Sequence, residues 1–341
     1  MLPDVMEIAR GKWRSVLTEL GVPSTYLSGK HGPCPFCGRG KDRWRFTDKD
    51  RHGMWICNQC GAGNGWQLLQ QYHGWGAKRA ADEIRRVCGE GMPDDPQRPQ
   101  MTDEQCRKML NEVWRSSRPV ENGDMVSLYL RERGIDWPLS EPWPKDLRFC
   151  RECPVTGVPG TRALPAMVAL VRDPAGKPAT IHRTYLAHKS KAKIDKPKSY
   201  MPGGNPMGTA VRLGNLCDNG EMGIAEGIET ALAASLMFKM PVWAALDAGH
   251  LGKWKPPSEA KTVHIFGDND ESFTGHFRTY ELANRLVTDR EVPRKAFPLI
   301  PNGEGEDWAD VYSRYRREAK EEAEEQLLHR PTPGNSTDEA A

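Results

Sequence analysis

The sequence predicts an α/β protein, a parallel sheet covered by helices, with a small metal-stabilised module ahead of it. Three observations predict this. From Met222 onward, short apolar strand-like runs alternate with helix-length segments, the pattern that builds parallel sheets. Two Cys-x-x-Cys pairs stand close together near the N-terminus. Two of the strand-like runs end in carboxylates, Glu226 and the Asp268/Asp270 pair, and open α/β sheets bind ligands beyond such strand ends.

The 341 residues allow one large domain or two to three ordinary ones. Lys+Arg is 48 and Asp+Glu is 46, a formal charge of +2. Residues 318–341 hold seven acids and two bases, so the rest carries +7. A basic body with an acidic tail permits a nucleic-acid partner without demanding one. The mean hydropathy of −0.67 implies abundant loops. No apolar run approaches the roughly 18 residues of a membrane span; the cleanest, 166–171, is strand-length. The start, MLPDVMEIARGKW, has no apolar signal-peptide core. Nine cysteines, an odd count without an export signal, speak against a disulfide scaffold and for metal. A cytoplasmic protein with no membrane partner is expected.

In chain order, residues 1–26 read as a short helix, with Val5, Ile8, Val16 and Leu20 as its apolar positions, closed by Gly21 and Pro23. A Cys/Gly/Trp-rich segment follows, then helices over 67–72 and 77–87. The Pro-, Gly- and Asp-rich stretch 89–102 reads as a linker. Helices are expected over 103–117 and 124–133. Strands over 166–172 and 179–186 flank the turn Pro174-Ala175-Gly176, a hairpin, and 189–198 is a basic loop. Beyond it come strands 222–225, 242–246 and 262–266 with helices 227–239 and 276–288 between and after them. The tail past Pro331 lacks apolar content to fold. The expected domains are 1–88, a linker 89–102, a subdomain 103–217 with the basic loop, an α/β domain 218–317, and an acidic, partly disordered tail 318–341.

Cys34-Pro-Phe-Cys37 and Cys57-Asn-Gln-Cys60 are separated by nineteen residues. Each pair forms a tight knuckle whose amides face sulfur, and two knuckles close a tetrahedron around one structural Zn²⁺. Gly38 and Gly61 follow the second cysteine of each pair, where the backbone must be permissive. With short strands at 44–46 and 54–56, this is a zinc ribbon. Its inter-knuckle segment interleaves cations, Arg43 and Arg45 among them, with Trp44, Phe46 and Trp55, the composition of a single-strand reading surface. Cys150-Arg-Glu-Cys153 has no second pair and is not expected to bind metal.

The run Ile224-Ala-Glu226-Gly227 ends a strand and opens a helix. The run 262–266 passes through Gly267 into Asp268-Asn-Asp270. Three converging acids repel unless a hard divalent cation holds them, and carboxylates suit Mg²⁺. Glu229 reads equally as a site acid or a first-turn helix acid, and Asp247, Asp307 and Asp310 stay ambiguous.

The strand–Glu-Gly–helix followed by strand–Asp-x-Asp resembles a Toprim domain, a Rossmann-like fold shared by bacterial-type primases, topoisomerases and some nucleases. The ribbon PCPFCGRGKDRWRF…WICNQCGAGNGWQLL resembles that of phage and plasmid primases, and Glu226-Gly-Ile-Glu-Thr-Ala looks like their EGxxTA variant. Weaker likenesses lie at Tyr129–Gly134, Leu147–Phe149 and His182–Leu186. The chain departs from the pattern at Thr230, where a second acid is common, at Glu306, where a lysine is frequent, and at Cys150, where a histidine often stands. No GxxxxGK[ST] occurs, so the likeness is to primases without a fused helicase.

The resemblance implies a DNA-dependent primase that makes short RNA primers on single-stranded DNA by metal-dependent nucleotidyl transfer. Its partners are the template, nucleoside triphosphates and a separate replicative helicase. Asp268 and Asp270 would hold Mg²⁺ or Mn²⁺, and Glu226 would bind metal or take the proton of the attacking 3′-hydroxyl. Arg183, Lys191, Lys193 and Lys198 would meet phosphates, and Arg43, Trp44 and Arg45 the template. A Toprim nuclease and a zinc- and Toprim-containing recombination mediator are the alternatives.

Overall fold

A computed structural model describes residues 4–38, 40–88, 92–96, 101–155, 158–204 and 206–328. The chain divides into two compact units, 1–100 and 101–341. Among the described residues, no helix is long and apolar enough to cross a membrane.

The first unit opens with α1 (Val5–Ile8) and α2 (Trp13–Glu19) in place of the single helix expected over 1–26. The break is local: Gly11 adopts φ +78°, a left-handed conformation that stops a helix. Next come β1 (Trp44–Phe46), β2 (Trp55–Cys57) and β3 (Gly61–Gly63), an antiparallel sheet in which Trp44 faces Cys57 and Phe46 faces Trp55. Then follow α3 (Gly65–His73) and α4 (Ala77–Val87). Asn64 and Gln67 form a reciprocal capping box at the start of α3, satisfying two otherwise orphaned amides. Trp13, Leu17, Trp44, Phe46, Trp55, Leu68 and Ile84 share one core. Much of the expected linker lies outside the described residues, but Asp95 is buried and accepts from the Arg14 and Ser15 amides at 2.6 and 3.0 Å.

The second unit starts with α5 (Asp103–Ser116), β4 (Arg118–Pro119) and α6 (Met125–Glu132). Then come β5 (Leu147–Pro154), β6 (Ala163–Arg172), β7 (Pro178–Ala187), β8 (Ser190–Lys191), β9 (Lys198–Tyr200) and β10 (Ala210–Val211). The α/β portion is β11 (Glu221–Ala225), α7 (Ile228–Phe238), β12 (Val242–Ala244), α8 (Ala248–Lys253), β13 (Thr262–Phe266), α9 (Thr274–Val287), β14 (Lys295–Leu299) and α10 (Trp308–Leu328). The expected fate of the tail past Pro331 concerns residues outside the described ones.

One eleven-stranded sheet carries this unit. The order β14-β13-β11-β12 is parallel throughout, and β10 joins it to the antiparallel strands β6, β5 and β4, with β7 pairing β6, β8 and β9. The two-residue periodicity of the strands splits the core. Met222, Ile224, Val263 and Ile265 pack with Leu282 and Leu286 of α9, while Ala225 and Phe266 pack with Leu232 of α7 and Trp308 of α10. Gly223 lies where β11 is most crowded: a Cβ there would meet the Phe266 ring at 2.7 Å. All four parallel strands point their carboxyl ends the same way, and the acids follow those ends.

Candidate active site

The four cysteine sulfurs of the first unit lie within 4.8 Å of one another. The knuckle geometry explains this. The Phe36 amide donates to Cys34 Sγ, and the Gln59 and Cys60 amides donate to Cys57 Sγ, each at 3.4 Å. Gly38 and Gly61 take φ of +62° and +90°. Burial and the neighbouring sulfurs push the Cys60 thiol up to about 12, because thiolates this crowded repel one another unless a cation sits among them. Four soft donors gathered this closely fit one Zn²⁺, which takes such sets in tetrahedral coordination. Among the described residues, no other group of three or more His, Cys, Asp or Glu ligand atoms is gathered so tightly. Cys150 and Cys153 stand elsewhere, buried in β5.

The residues expected to read a template separate in the structure. Arg45 points outward between Trp44 and Phe46 on β1, beside exposed Ile56 on β2. Arg43 is half-buried against Gln59. Trp44 does not present a free ring. It is 1% exposed, stacks on Trp55 at 5.1 Å, and donates its indole N–H to the Tyr26 carbonyl. Its place is in the ribbon's core, because inward residues of a three-residue strand are the ones that bury its face.

In the second unit Glu226 follows β11, Asp247 follows β12, and Asp268 and Asp270 follow β13. The Leu246 amide donates to the Glu226 carbonyl at 2.6 Å, joining the ends of β11 and β12. Leu246 has φ +82°, a strained conformation for a branched residue, and it turns the chain into Asp247. Asp247 then caps α8, accepting from the His250 amide at 2.8 Å and from the His250 ring. Asp307 caps α10 through the Ala309 and Asp310 amides and meets Arg133 at 3.6 Å.

The carboxylates differ in kind. Burial, then the charges of Asp247 and Asp270, raise Glu226 to about 7. Burial, then Glu226, Asp307 and Asp270, raise Asp268 to about 8. Asp268 Oδ1 is buried with no hydrogen-bond partner. Asp270 is the opposite case: burial works against ionisation, but hydrogen bonds from Ser272, Gly275 and Thr274 prevail and hold its pKa below the ordinary range. Its Oδ2 accepts the Gly275 amide at 2.6 Å, so it also serves as a turn acid at the start of α9. Gly275 is required there, since a Cβ would lie 2.3 Å from the Asp268 carbonyl.

The expected basic residues also diverge. Lys198 and Lys191 approach Glu229, whose carboxylate is buried; Lys193 is exposed. Arg183 is not available to phosphates. It is 8% exposed and donates to the Pro154 and Tyr200 carbonyls and the Ser199 hydroxyl, tying β5, β7 and β9 together. Sequence reasoning left Glu229 undecided and gave no site role to Tyr129, His182 or Tyr200. Tyr129 is bonded to Glu229. His182 is kept neutral, its pKa lowered to about 3 by burial and then by the Lys198 charge. Tyr200 packs on His182 and His250. The alternation of β7 could have found His182, which shares a face with Thr180 and Thr184.

Residues 29–66 match the family model of the zinc-binding domain of primase-helicase, and residues 221–317 match the Toprim domain. Residues 104–213 match a domain family of unknown function, DUF7146. Among solved structures, the zinc-binding and RNA polymerase domains of Aquifex aeolicus primase align over 96% of this chain and 86% of that one, at 16% identity and TM-score 0.40. The primase fragment of the bacteriophage T7 primase-helicase protein aligns over 87% and 98%, at 16% identity and TM-score 0.36. A DnaG primase catalytic domain bound to single-stranded DNA aligns over 65% and 82%, at 14% identity and TM-score 0.37. On its matched modules, the chain carries a primase-type zinc ribbon followed by a Toprim domain.

Proposed function

We propose that this protein is a DNA-dependent primase, joining nucleoside triphosphates into short RNA primers on a single-stranded DNA template. The observation that carries the reading is the convergence of Glu226, Asp268 and Asp270 at the carboxyl ends of parallel strands, with a buried Asp268 oxygen left without a partner. An all-oxygen donor set in which burial and then the neighbouring acids raise the Glu226 and Asp268 carboxyls fits a hard divalent cation. Asp268 and Asp270 would hold Mg²⁺ or Mn²⁺, with Glu226 as a further ligand or as acceptor of the 3′-hydroxyl proton. Bound there, the cation supplies the charge neutralisation that in-line nucleotidyl transfer needs at its attacking and leaving oxygens.

The chain's own groups divide the remaining work. Asp270 is held in place by the first two amides of α9, those of Thr274 and Gly275. Lys198 lies close enough to lower the pKa of both Glu226 and Asp268 and offers an ammonium to phosphate. The ribbon of the 1–88 domain, through Arg43 and Arg45, would read the template. The 103–217 subdomain would bring the basic loop with Lys191, Lys193 and Lys198 to the 218–317 catalytic domain. A cytoplasmic setting with a separate replicative helicase completes the reading.

The test incubates the purified chain with single-stranded DNA of varied sequence, labelled ribonucleotides and Mg²⁺. Template-dependent short oligomers are expected. Degradation of the DNA would establish a nuclease instead, and binding without synthesis a recombination mediator.

A further inference from the structure

Glu229 stands in the first turn of α7, where an acid ordinarily faces water and favours the helix dipole. Here its side chain is only 5% exposed. A carboxylate taken out of water is tolerated only with good partners, and three elements deliver them. Tyr129 of α6 donates its hydroxyl to Oε1 at 2.5 Å. Lys198 of β9 reaches Oε2 at 3.3 Å, and Lys191 of β8 reaches Oε1 at 3.5 Å. Burial opposes the charge, but Lys198, Lys191 and Tyr129 overcome it and hold Glu229 down to about 2.

The two ends of this cluster differ in exposure. Tyr129 is fully buried behind the carboxylate. The lysine side chains in front are 36% and 37% exposed. The charge of Lys198 is felt by Glu226 and Asp268, so this end of the pair borders the acid site. β8 and β9 are strands of two and three residues, too short to fix such long side chains. Without an anchor, the Lys198 ammonium would be drawn towards the site acids that feel its charge, and Lys191 would lose the one anion that acts on it. Burial lowers the Lys191 pKa, Lys198 and Arg133 add to this, and Glu229 alone opposes it; with His182 neutral, Glu229 is the anion that holds the pair.

We propose that Glu229 is a positioning residue: braced by Tyr129, its buried carboxylate holds Lys191 and Lys198 as a preformed cationic pair that receives the polyphosphate of a nucleoside triphosphate. This rests on the nucleotidyl-transfer reading for the identity of the ligand. Two ammoniums sharing one carboxylate keep an excess positive charge facing outward, and phosphate oxygens satisfy their remaining donors. Holding two rotamer-rich side chains in place beforehand removes an ordering cost from binding. It also accounts for an acid three residues after Glu226 whose partners are Tyr129, Lys191 and Lys198.

The test uses the full chain and inorganic tripolyphosphate, followed by calorimetry, so the readout does not depend on synthesis. Glu229→Gln is expected to weaken tripolyphosphate binding about 10-fold, with Glu229→Asp restoring most of it. Tyr129→Phe keeps the ring and removes the brace; a loss of about 3-fold is expected, and this variant decides the matter if Glu229→Gln does not fold. In a Lys191→Ala/Lys198→Ala background, Glu229→Gln should add no further loss, because it acts through the lysines. Unchanged or tighter binding in Glu229→Gln, which loss of a negative charge alone would produce, overturns the proposal. So does an additive loss in the lysine-free background. Should the wild type bind tripolyphosphate in this pattern yet synthesise nothing, the primase reading fails and the positioning role stands. Should synthesis proceed while Glu229→Gln binds and works as wild type, only the positioning role fails.

Discussion

Asp268→Asn and Asp270→Asn are near-identical changes two residues apart, yet the structure predicts opposite effects on stability. The ordinary carboxyl value for Asp268 is 3.8, and in the fold it rises to about 8. Between those limits the folded chain binds more protons than the unfolded chain, so stability falls as pH rises from about 4 to about 8. Each unit of displacement is worth about 1.4 kcal/mol, so the rise from 3.8 to about 8 sets a ceiling of about 6 kcal/mol. Coupling to Glu226 shares that penalty between the two groups, and about 2–3 kcal/mol is expected for Asp268 alone at pH 8. The neutral amide introduced by Asp268→Asn carries no such penalty, so this variant should be more stable than wild type at pH 8 without metal. For a unit of this size the gain corresponds to roughly 5–10 °C in Tm. Asp270, by contrast, accepts from the Ser272, Thr274 and Gly275 amides. Weakening that set costs about 0.5–2 kcal/mol, as for other helix-start acceptors, so Asp270→Asn should melt lower.

The assay is thermal unfolding of wild type and both variants at pH 5 and pH 8, with and without Mg²⁺. At pH 5 Asp268 is already protonated in the fold, and the advantage of Asp268→Asn should shrink to about 1–2 kcal/mol. Added Mg²⁺ should raise the wild-type Tm at pH 8 and leave Asp268→Asn unmoved. If Asp268→Asn destabilises the metal-free protein as Asp270→Asn does, the carboxylates do not repel one another and the argument for a cation there collapses.

What the sequence revealed and what it concealed divide along the range of the interactions. The cysteine knuckles and the strand-end acids are written in spacings of a few residues, and local spacing is what a sequence displays. The hairpin of β6 and β7 was legible for the same reason. β5 was not seen as a strand because a register shift between Cys150 and Cys153 breaks its alternation, and Arg148, Arg151 and Glu152 dilute its apolar signal. β3 consists of Gly61, Ala62 and Gly63, which carry no hydrophobic pattern at all. Glu229 looked like an ordinary helix-start acid because its meaning comes from Tyr129, one hundred residues away. Arg183 and Trp44 were given solvent-facing roles by residue type. Their environments, three sheet acceptors for one and a stacked indole for the other, are set by packing between strands.

Three further outcomes follow from the same geometry. Chelation should unfold the first unit, since structural zinc contributes roughly 10–16 kcal/mol of apparent binding free energy; Cys57→Ser should abolish the zinc content, and Cys150→Ser should leave it unchanged by metal analysis. Removing residues before Met101 should eliminate start-site choice on varied templates while the remaining unit keeps its Mg²⁺-dependent Tm shift; unchanged site preference would assign the ribbon another task. The ribbon itself offers the sharpest contrast. Trp44 is buried against Phe36 and Trp55, so Trp44→Ala should cost about 3–5 kcal/mol of stability in the first unit, the usual loss for a large core ring. Arg45 lies on the open face of the same strand, so Arg45→Ala should leave the fold intact, weaken single-stranded DNA binding several-fold and lower its salt dependence, as loss of one phosphate contact does. Melting and DNA titration of the two variants separate these effects. If Trp44→Ala melts like wild type but loses DNA affinity, the ring is stacking on bases and the buried placement is wrong; if Arg45→Ala binds DNA unchanged at every salt concentration, the outward face of β1 is not the reading surface.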